Sequence, residues 1–379
     1  MKPLLEERHG GAPQSGAVLR LEDFRGRLQP HLESFIARKT QSYKCYSDDP
    51  LIHAIWDYPR RLVSAHGKRI RPYVAYLMFD ALQLPNDAEQ EGALRLLVAL
   101  ELFHLFCLVH DDIIDKGAER HSMPTLHRHV AAVLESENRR SNELSCNHEH
   151  IGNSQAILLG DMLFAWSQEA FHSNRDFSCH VLNEARDYFT LMMDEVVIGE
   201  MLDVDMMTRH VTSQHAIYQK MLLKTASYTF IRPLQIGAAL ASKGQQCEQF
   251  CYDLGLSLGL AFQIRDDLLD IVGTQKTTQK TVFSDLREHQ HTYFTQYIFE
   301  HGNTAQRVKL RQLLGRDVRL EDRAEVLDLF EASGALDHGM TNISKHLAQA
   351  CSLVHNAPVR LHDRAPFYEL IETIRGRAL

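Results

Sequence analysis

Apolar residues recur at three- and four-residue intervals through most of this 379-residue chain, whereas strand-like alternation is scarce. That period gathers them on one face of a helix, so the pattern predicts an all-α fold. Helices are expected at 19–42, from Asp49–Pro50 onward, and at 89–115, 153–172, 179–207, 213–231, 248–271, 292–313, 321–333, 339–352 and 364–376. Pro50 suits a first helical turn, and Pro59 is expected to kink or interrupt the helix that holds it. Another apolar helix is expected to start at Pro72, after the basic run at 66–71, and Leu84–Pro85–Asn86–Asp87 reads as a stop. Segments 116–127 and 272–292 read as irregular, 135–152 as a polar surface insertion, and 1–18 as a flexible leader. No compositional break divides 19–379, which is expected to be a single large helical domain.

The most informative departures from this pattern are polar. Residues 101–115, ELFHLFCLVHDDIID, run as an apolar helix into Asp111, Asp112 and Asp115. Positions i and i+4 rise about 6 Å along one helical face, so Asp111 and Asp115 project together with Asp112 beside them. FQIRDDLLD at 262–270 repeats the spacing with Asp266, Asp267 and Asp270. Carboxylates this close repel one another unless a hard divalent cation, most simply Mg²⁺, neutralises them. A solvated acidic helix end could explain one cluster. Two of the same spacing point to two helices delivering metal ligands across one cavity.

Charge narrows the chemistry further. The formal net charge of -8 gives no support for a nucleic-acid partner, so a phosphate-bearing substrate must be held by local cations or bound metal. Lys68, Arg69 and Arg71 stand at a helix start that already favours anions, and Arg120 lies five residues beyond Asp115. Lys224 and Thr225 interrupt an apolar helix, where a lysine is costly without a counter-charge. Arg265 and Lys280 could either meet substrate or pair with a carboxylate. The N-terminal stretch lacks the apolar run of a signal peptide and no later stretch reaches membrane-spanning length without charge. A cytoplasmic protein without stable membrane insertion is therefore expected. The seven scattered cysteines fit reduced thiols, and Cys146, His148 and His150 lack a complete zinc pattern. Neither a hydrolase triad nor a GxxxxGK[ST] loop is visible. Acidic clusters, cations and long apolar helices suit departure of a metal-bridged diphosphate from an allylic carbon inside a dry chamber.

The motifs GKRIRP (67–72), HDDIID (110–115), PTLH (124–127), LLGD (158–161), KTASY (224–228) and FQIRDDLLD (262–270) resemble, in order and spacing, the trans-isoprenyl diphosphate synthase or polyprenyl synthetase family. That resemblance implies a helical fold of the isoprenoid synthase type with a deep central cavity, a homodimer, and three Mg²⁺ ions between the paired acidic motifs. The implied reaction is head-to-tail condensation of isopentenyl diphosphate with an allylic diphosphate. By motif, Asp111, Asp115 and Asp266 would ligate metal, with Asp112, Asp267 and Asp270 orienting metal-bound waters or supporting the shell. Arg120, Lys224 and Lys280 would grip the allylic diphosphate, and Lys68, Arg71 and His104 the acceptor. Thr225 and Gln263 would line the reaction centre. The chain departs from the family at His121 and Ser122, where a second arginine and a glycine are common. It departs again at His289 and Gln290, where a glycine-lysine pair is common, and at Glu200, where glutamine is usual. A class I terpene cyclase, or a weakly active partner subunit of a heteromeric synthase, are the alternatives. The first would not need the acceptor-diphosphate cations.

Phe106 lies five residues before Asp111 and Phe103 eight before it, both positions that look down the implied cavity. A bulky residue at Phe106 implies a short product of about C15 to C20 by resemblance, with ordinary aromatic core packing as the competing explanation. Phe106→Ala should shift the products to longer chains when they are separated by length. An unchanged profile would remove Phe106 as the floor.

Overall fold

A computed structural model describes residues 20–65, 67–120, 123–141, 147–209, 213–273 and 282–376. The expected leader, His121, Ser122, Cys146 and Lys280 lie outside the described residues. Helices α1 (Leu21–Tyr43), α2 (Pro50–Ser64), α3 (Ile70–Gln83) and α4 (Asp87–Ile114) lead to an antiparallel pair of two-residue strands, β1 (Glu119–Arg120) and β2 (Met123–Pro124). Glu119 pairs with Pro124, and Arg120 with Met123. Helices α5 (Leu126–Ser141), α6 (His148–His172) and α7 (Cys179–Met207) follow. Helix α8 (Gln214–Lys220) passes through a π-helical stretch, Met221–Ile231, into α9 (Arg232–Leu240). The rest comprises α10 (Gly244–Val272), α11 (Ser284–Arg287), α12 (Tyr293–His301), α13 (Thr304–Leu313), a 3₁₀ turn at Leu320–Asp322, α14 (Arg323–Ala332), α15 (Ala335–His355) and α16 (Ala365–Arg375). The architecture is the all-α one expected.

Boundaries differ from expectation where tertiary contacts override local signals. Pro59 does not interrupt α2, whose buried Ile55, Tyr58, Leu62 and Val63 hold it to the core and whose start is capped by Asp49. Helix α3 starts before Pro72, because Arg69 adopts a left-handed conformation (φ 53°) that turns the chain into it. The pattern at 213–231 continues to Leu240 through a change of pitch, and 292–313 is divided at Gly302, with Asn303 capping the second helix. The polar stretch 135–152 is helical at both ends, finishing α5 and, after the Asn147 cap, opening α6. Of its described side chains, Glu135, Ser136, Glu149 and His150 are exposed.

Two helices organise the interior. The Asn86–Glu89 capping box starts α4, which packs on α6 and α3; α10 packs on the π-helical stretch, α9 and α15. Helix α4 is long and apolar enough to cross a membrane by composition alone, but 78% of its apolar window is buried inside the fold. Its apolarity therefore serves the core. Glycines bring the π-helical stretch between its neighbours. A Cβ on Gly199 of α7 would stand 2.5 Å from the Lys224 nitrogen, and one on Gly259 of α10 would stand 2.3 Å from the Ala226 Cα. These close approaches aim Lys224 and Thr225 into the space between α4 and α10.

A buried ion pair fixes the entry to α3. One Arg69 guanidinium nitrogen lies 2.6 Å from Glu101 on α4, with side-chain exposures of 4% and 3%, and another donates to the Val63 carbonyl at 2.6 Å. Glu101→Ala would leave a buried guanidinium without its carboxylate, so stability should fall by about 3–5 kcal/mol in denaturant unfolding. A loss of about 1 kcal/mol or less, typical of an exposed pair, would contradict it.

Candidate active site

The ends of α4 and α10 border a cavity of about 950 Å³, with the π-helical stretch and α7 completing its walls. Asp111 and Asp115 enter it from one side, and Asp266, Asp267 and Asp270 from another. Both acidic clusters thus reach one space although they lie about 150 positions apart in sequence. Lys68, Arg71, His104, Arg120, Lys224, Thr225 and Gln263 line the same cavity. Apolar lining comes from Phe106, Val197, Met201 and Phe262.

Burial, and then the neighbouring Glu200 carboxylate, push the Asp111 carboxyl up to about 7, against the attraction of Lys224. Burial also raises Asp115, whose Oδ1 is buried and accepts no hydrogen bond. Burial pushes Asp267 up to about 6, although Lys220 and hydrogen bonds from Gln263 Nε2 (2.6 Å) and the Tyr293 N–H (3.3 Å) oppose the shift. Such a set needs positive charge. Among the described residues no three ligand-type side chains form a closed metal cage. Mg²⁺ takes one or two carboxylates and fills its octahedron with water and substrate phosphate oxygens. Asp111 and Asp115, with an unpartnered buried oxygen between them, fit that role.

The cations are arranged in two groups. Arg71 lies over the Tyr228 ring, 4.0 Å from its centroid, and stands 3.3 Å from His104 Nε2; His104 Nδ1 is 3.1 Å from the Tyr228 hydroxyl. If Arg71 donates to Nε2, the imidazole carries its proton on Nδ1 and is neutral. The Arg71 Nε is buried and has no acceptor. In the other group Lys224 bonds Glu200 (2.7 Å) and Asp203 (2.6 Å), and Lys220 bonds Asp203 (2.9 Å) and the His291 carbonyl (2.6 Å). Burial opposes a charge on Lys224, but Asp203, Glu200 and Asp111 outweigh it and raise its pKa, so the lysine stays protonated. Burial likewise works against the Asp203 carboxylate, yet Lys220 and Lys224 hold it below the usual range.

Several sequence-derived positions stand elsewhere. Asp112 is buried and does not line the cavity; it accepts from Arg120 Nε (2.8 Å) and lies 2.7 Å from the terminal guanidinium nitrogen, so it holds Arg120 in place. Asp270 lines the cavity while accepting from the Ser284 N–H and hydroxyl and from the Asp285 N–H, which fixes the start of α11. Phe103 is fully buried behind Phe106, ring centroids 5.3 Å apart, and does not line the cavity. His289 and Gln290 do not line it either. Sequence reasoning missed Tyr228 and Lys220. Tyr228 carried a signal in its i+4 spacing from Lys224 on the same helix, whereas the partner of Lys220 is visible only once α7 is packed.

An all-α scaffold with two aspartate-bearing helices facing a cation-lined cavity defines an isoprenoid synthase. The polyprenyl synthetase family pattern matches residues 52–332, and the chain belongs to this trans-isoprenyl diphosphate synthase family. It is 31% identical over 292 residues to a short chain isoprenyl diphosphate synthase of Methanothermobacter thermautotrophicus, covering 76% of this chain and 80% of that protein. It is 27% identical over 298 residues to the geranylfarnesyl diphosphate synthase of Aeropyrum pernix, covering 78% and 86%. The crystal structure of a geranylgeranyl pyrophosphate synthase from Corynebacterium glutamicum, complexed with isoprenyl diphosphate and magnesium, superposes with a TM-score of 0.85 at 27% identity, covering 95% of this chain and all of that one. Prenyltransferase chemistry is what these relatives share.

The raised Asp111 carboxyl has a measurable consequence. The folded chain holds a proton there that the unfolded chain releases near the ordinary value of 3.8, so this group stabilises the fold below that pH and the stabilisation is lost as pH rises to about 7. Metal-free Asp111→Asn should therefore gain stability relative to the natural chain as pH rises from about 4 to about 7, read as a growing difference in melting temperature. A difference independent of pH would contradict the assignment.

Proposed function

We propose that this protein catalyses Mg²⁺-dependent head-to-tail condensation of isopentenyl diphosphate with an allylic diphosphate, releasing pyrophosphate and giving a prenyl diphosphate of about C15 to C20. The observation that carries the proposal is one cavity lined by both acidic clusters and by a separate anion-binding group, Lys68 and Arg71 with His104 beside them. A terpene cyclase has no use for that second group.

Asp111, Asp115 and Asp266 would hold the metal, expected as three ions, with Asp267 and Asp270 steadying the surrounding shell. Mg²⁺ held by these carboxylates would supply Lewis-acid stabilisation of the charge that develops on the leaving diphosphate. Lys224 and Arg120, with Lys280, would orient the allylic diphosphate; Asp112 holds the Arg120 guanidinium in place for this. Thr225 donates to Gln263 Oε1, and Gln263 Nε2 donates to Asp267; their neutral oxygens would stabilise the carbon that becomes cationic. Lys68 and Arg71 would fix the acceptor diphosphate, aided by His104, while the apolar lining keeps water from the cation. The departing pyrophosphate would take the proton, and no side chain has to act as base.

Product length is assigned to Phe106, whose ring packs against Phe164 (5.4 Å) and His110 (4.7 Å). The active unit is proposed to be a cytoplasmic homodimer. Leu158 on α6 and Ile198 on α7 are 57% and 48% exposed, which a second copy would cover.

The deciding assay supplies Mg²⁺, isopentenyl diphosphate and C5, C10 or C15 allylic diphosphates in turn to chain that light scattering finds dimeric. Linear elongation is the expected result. Hydrocarbon or alcohol formed without isopentenyl diphosphate would instead indicate a cyclase, and no product from folded dimer would indicate a partner subunit. Arg71→Leu should raise KM for isopentenyl diphosphate about 10- to 100-fold through loss of a charge-assisted contact of about 1.5–3 kcal/mol, leaving KM for the allylic substrate unchanged.

A further inference from the structure

Helix α10 has two working faces. Phe262, Gln263 and Asp266 look into the cavity described above, while Leu260 and Ile264 border a second one of about 450 Å³. Tyr218, Tyr293 and Tyr297 bring three phenol rings to this second cavity. The His338 imidazole makes its wall rigid. It stacks on Tyr293 (centroids 5.5 Å, 5° between planes) and on Tyr297 (4.5 Å, 25°), and its Nε2 lies 2.7 Å from the Tyr293 hydroxyl.

The polar groups of the cavity are unbalanced. Gln296 is only 4% exposed; its Nε2 donates to Glu300 at 2.8 Å, and its Oε1 is buried with no donor. One turn on, Glu300 contributes the only carboxylate lining the cavity, and no lysine or arginine lines it among the described residues. Arg307 donates to the Glu300 main-chain carbonyl (3.1 Å), and His301 stands 3.8 Å from the carboxylate. An orphaned carbonyl oxygen, a carboxylate and aromatic faces all attract one kind of group, a positively charged donor of several N–H bonds. Leu260, Ile264, Ile217 and Met221 would cover an apolar body attached to it.

We propose that this cavity binds an organic amine, its ammonium group donating to Gln296 Oε1 and paired with Glu300 against the tyrosine rings, its apolar body lying on α10. Tyr293 links the site to the acidic clusters, because its N–H donates to Asp267 Oδ2 at 3.3 Å. The proposal is independent of the prenyl substrates.

The probes are 2-phenylethylamine and its neutral counterpart 2-phenylethanol, titrated calorimetrically into the full chain with Mg²⁺ and inorganic pyrophosphate present to fill the acidic cavity. Saturable binding of one amine per chain is expected, with the alcohol at least about tenfold weaker, equivalent to about 1.4 kcal/mol. Glu300→Gln should reduce the amine to the affinity of the alcohol, and Gln296→Leu should weaken the amine about tenfold. Asp111→Asn should leave amine binding unchanged. Absence of saturable binding, equal affinity for the two probes, or amine binding that survives Glu300→Gln but is lost in Asp111→Asn would each overturn the proposal. Should either α12 variant fail to fold, Tyr218→Leu, at an exposed position, must weaken the amine at least about threefold, and unchanged affinity there would likewise overturn it.

Discussion

Like-charge repulsion within one cavity is the constraint on which the rest of this structure depends. Helices α4 and α10 end in carboxylates that face the same enclosed space, and α7 adds Glu200. Burial makes each charge harder to carry, and proximity makes the set harder still. The protein offsets this partly from within. Lys220 and Lys224 converge on Asp203, and Lys224 extends the network to Glu200 and toward Asp111. The remainder is left for cations and substrate to satisfy, and a cavity that is unfavourable when empty is well suited to binding metal diphosphate.

Backbone packing sets where that network can form. Gly199 and Gly259 allow α7 and α10 to approach the π-helical stretch more closely than any side chain would permit. The altered pitch of that stretch presents Lys224, Thr225 and Tyr228 to the cavity together. The Arg69–Glu101 pair plays the corresponding part for Lys68 and Arg71. It ties the start of α3, with Lys68 before it and Arg71 in its first turn, to α4 ten residues before Asp111, so the elements carrying the proposed acceptor and metal groups are joined by a buried ion pair.

Glu200 bears on how this cavity differs from the family pattern. A neutral amide there would neither raise Asp111 nor bind Lys224 as an ion pair. The carboxylate does both, adding negative charge beside Asp111 while holding Lys224 in an ion pair. At the departures His289 and Gln290, neither side chain lines the cavity.

The sequence by itself determined the helical class, because a 3.6-residue period needs no tertiary context, and it determined the two acidic clusters and the cations that serve them, because residue type and spacing along one helix are local properties. It did not reveal that Asp112 turns away to hold Arg120, that Phe103 stands behind Phe106, or that Lys220 shares Asp203 with Lys224. Those outcomes depend on which neighbour each helical face meets. Nor could Pro59 or Pro72 mark true helix limits, since buried contacts outweighed a local breaker at one and a left-handed Arg69 moved the start at the other. Helix phase and chemistry are written along the chain. The partner of each side chain is decided only when distant helices pack, because burial and pairing are properties of the space between them.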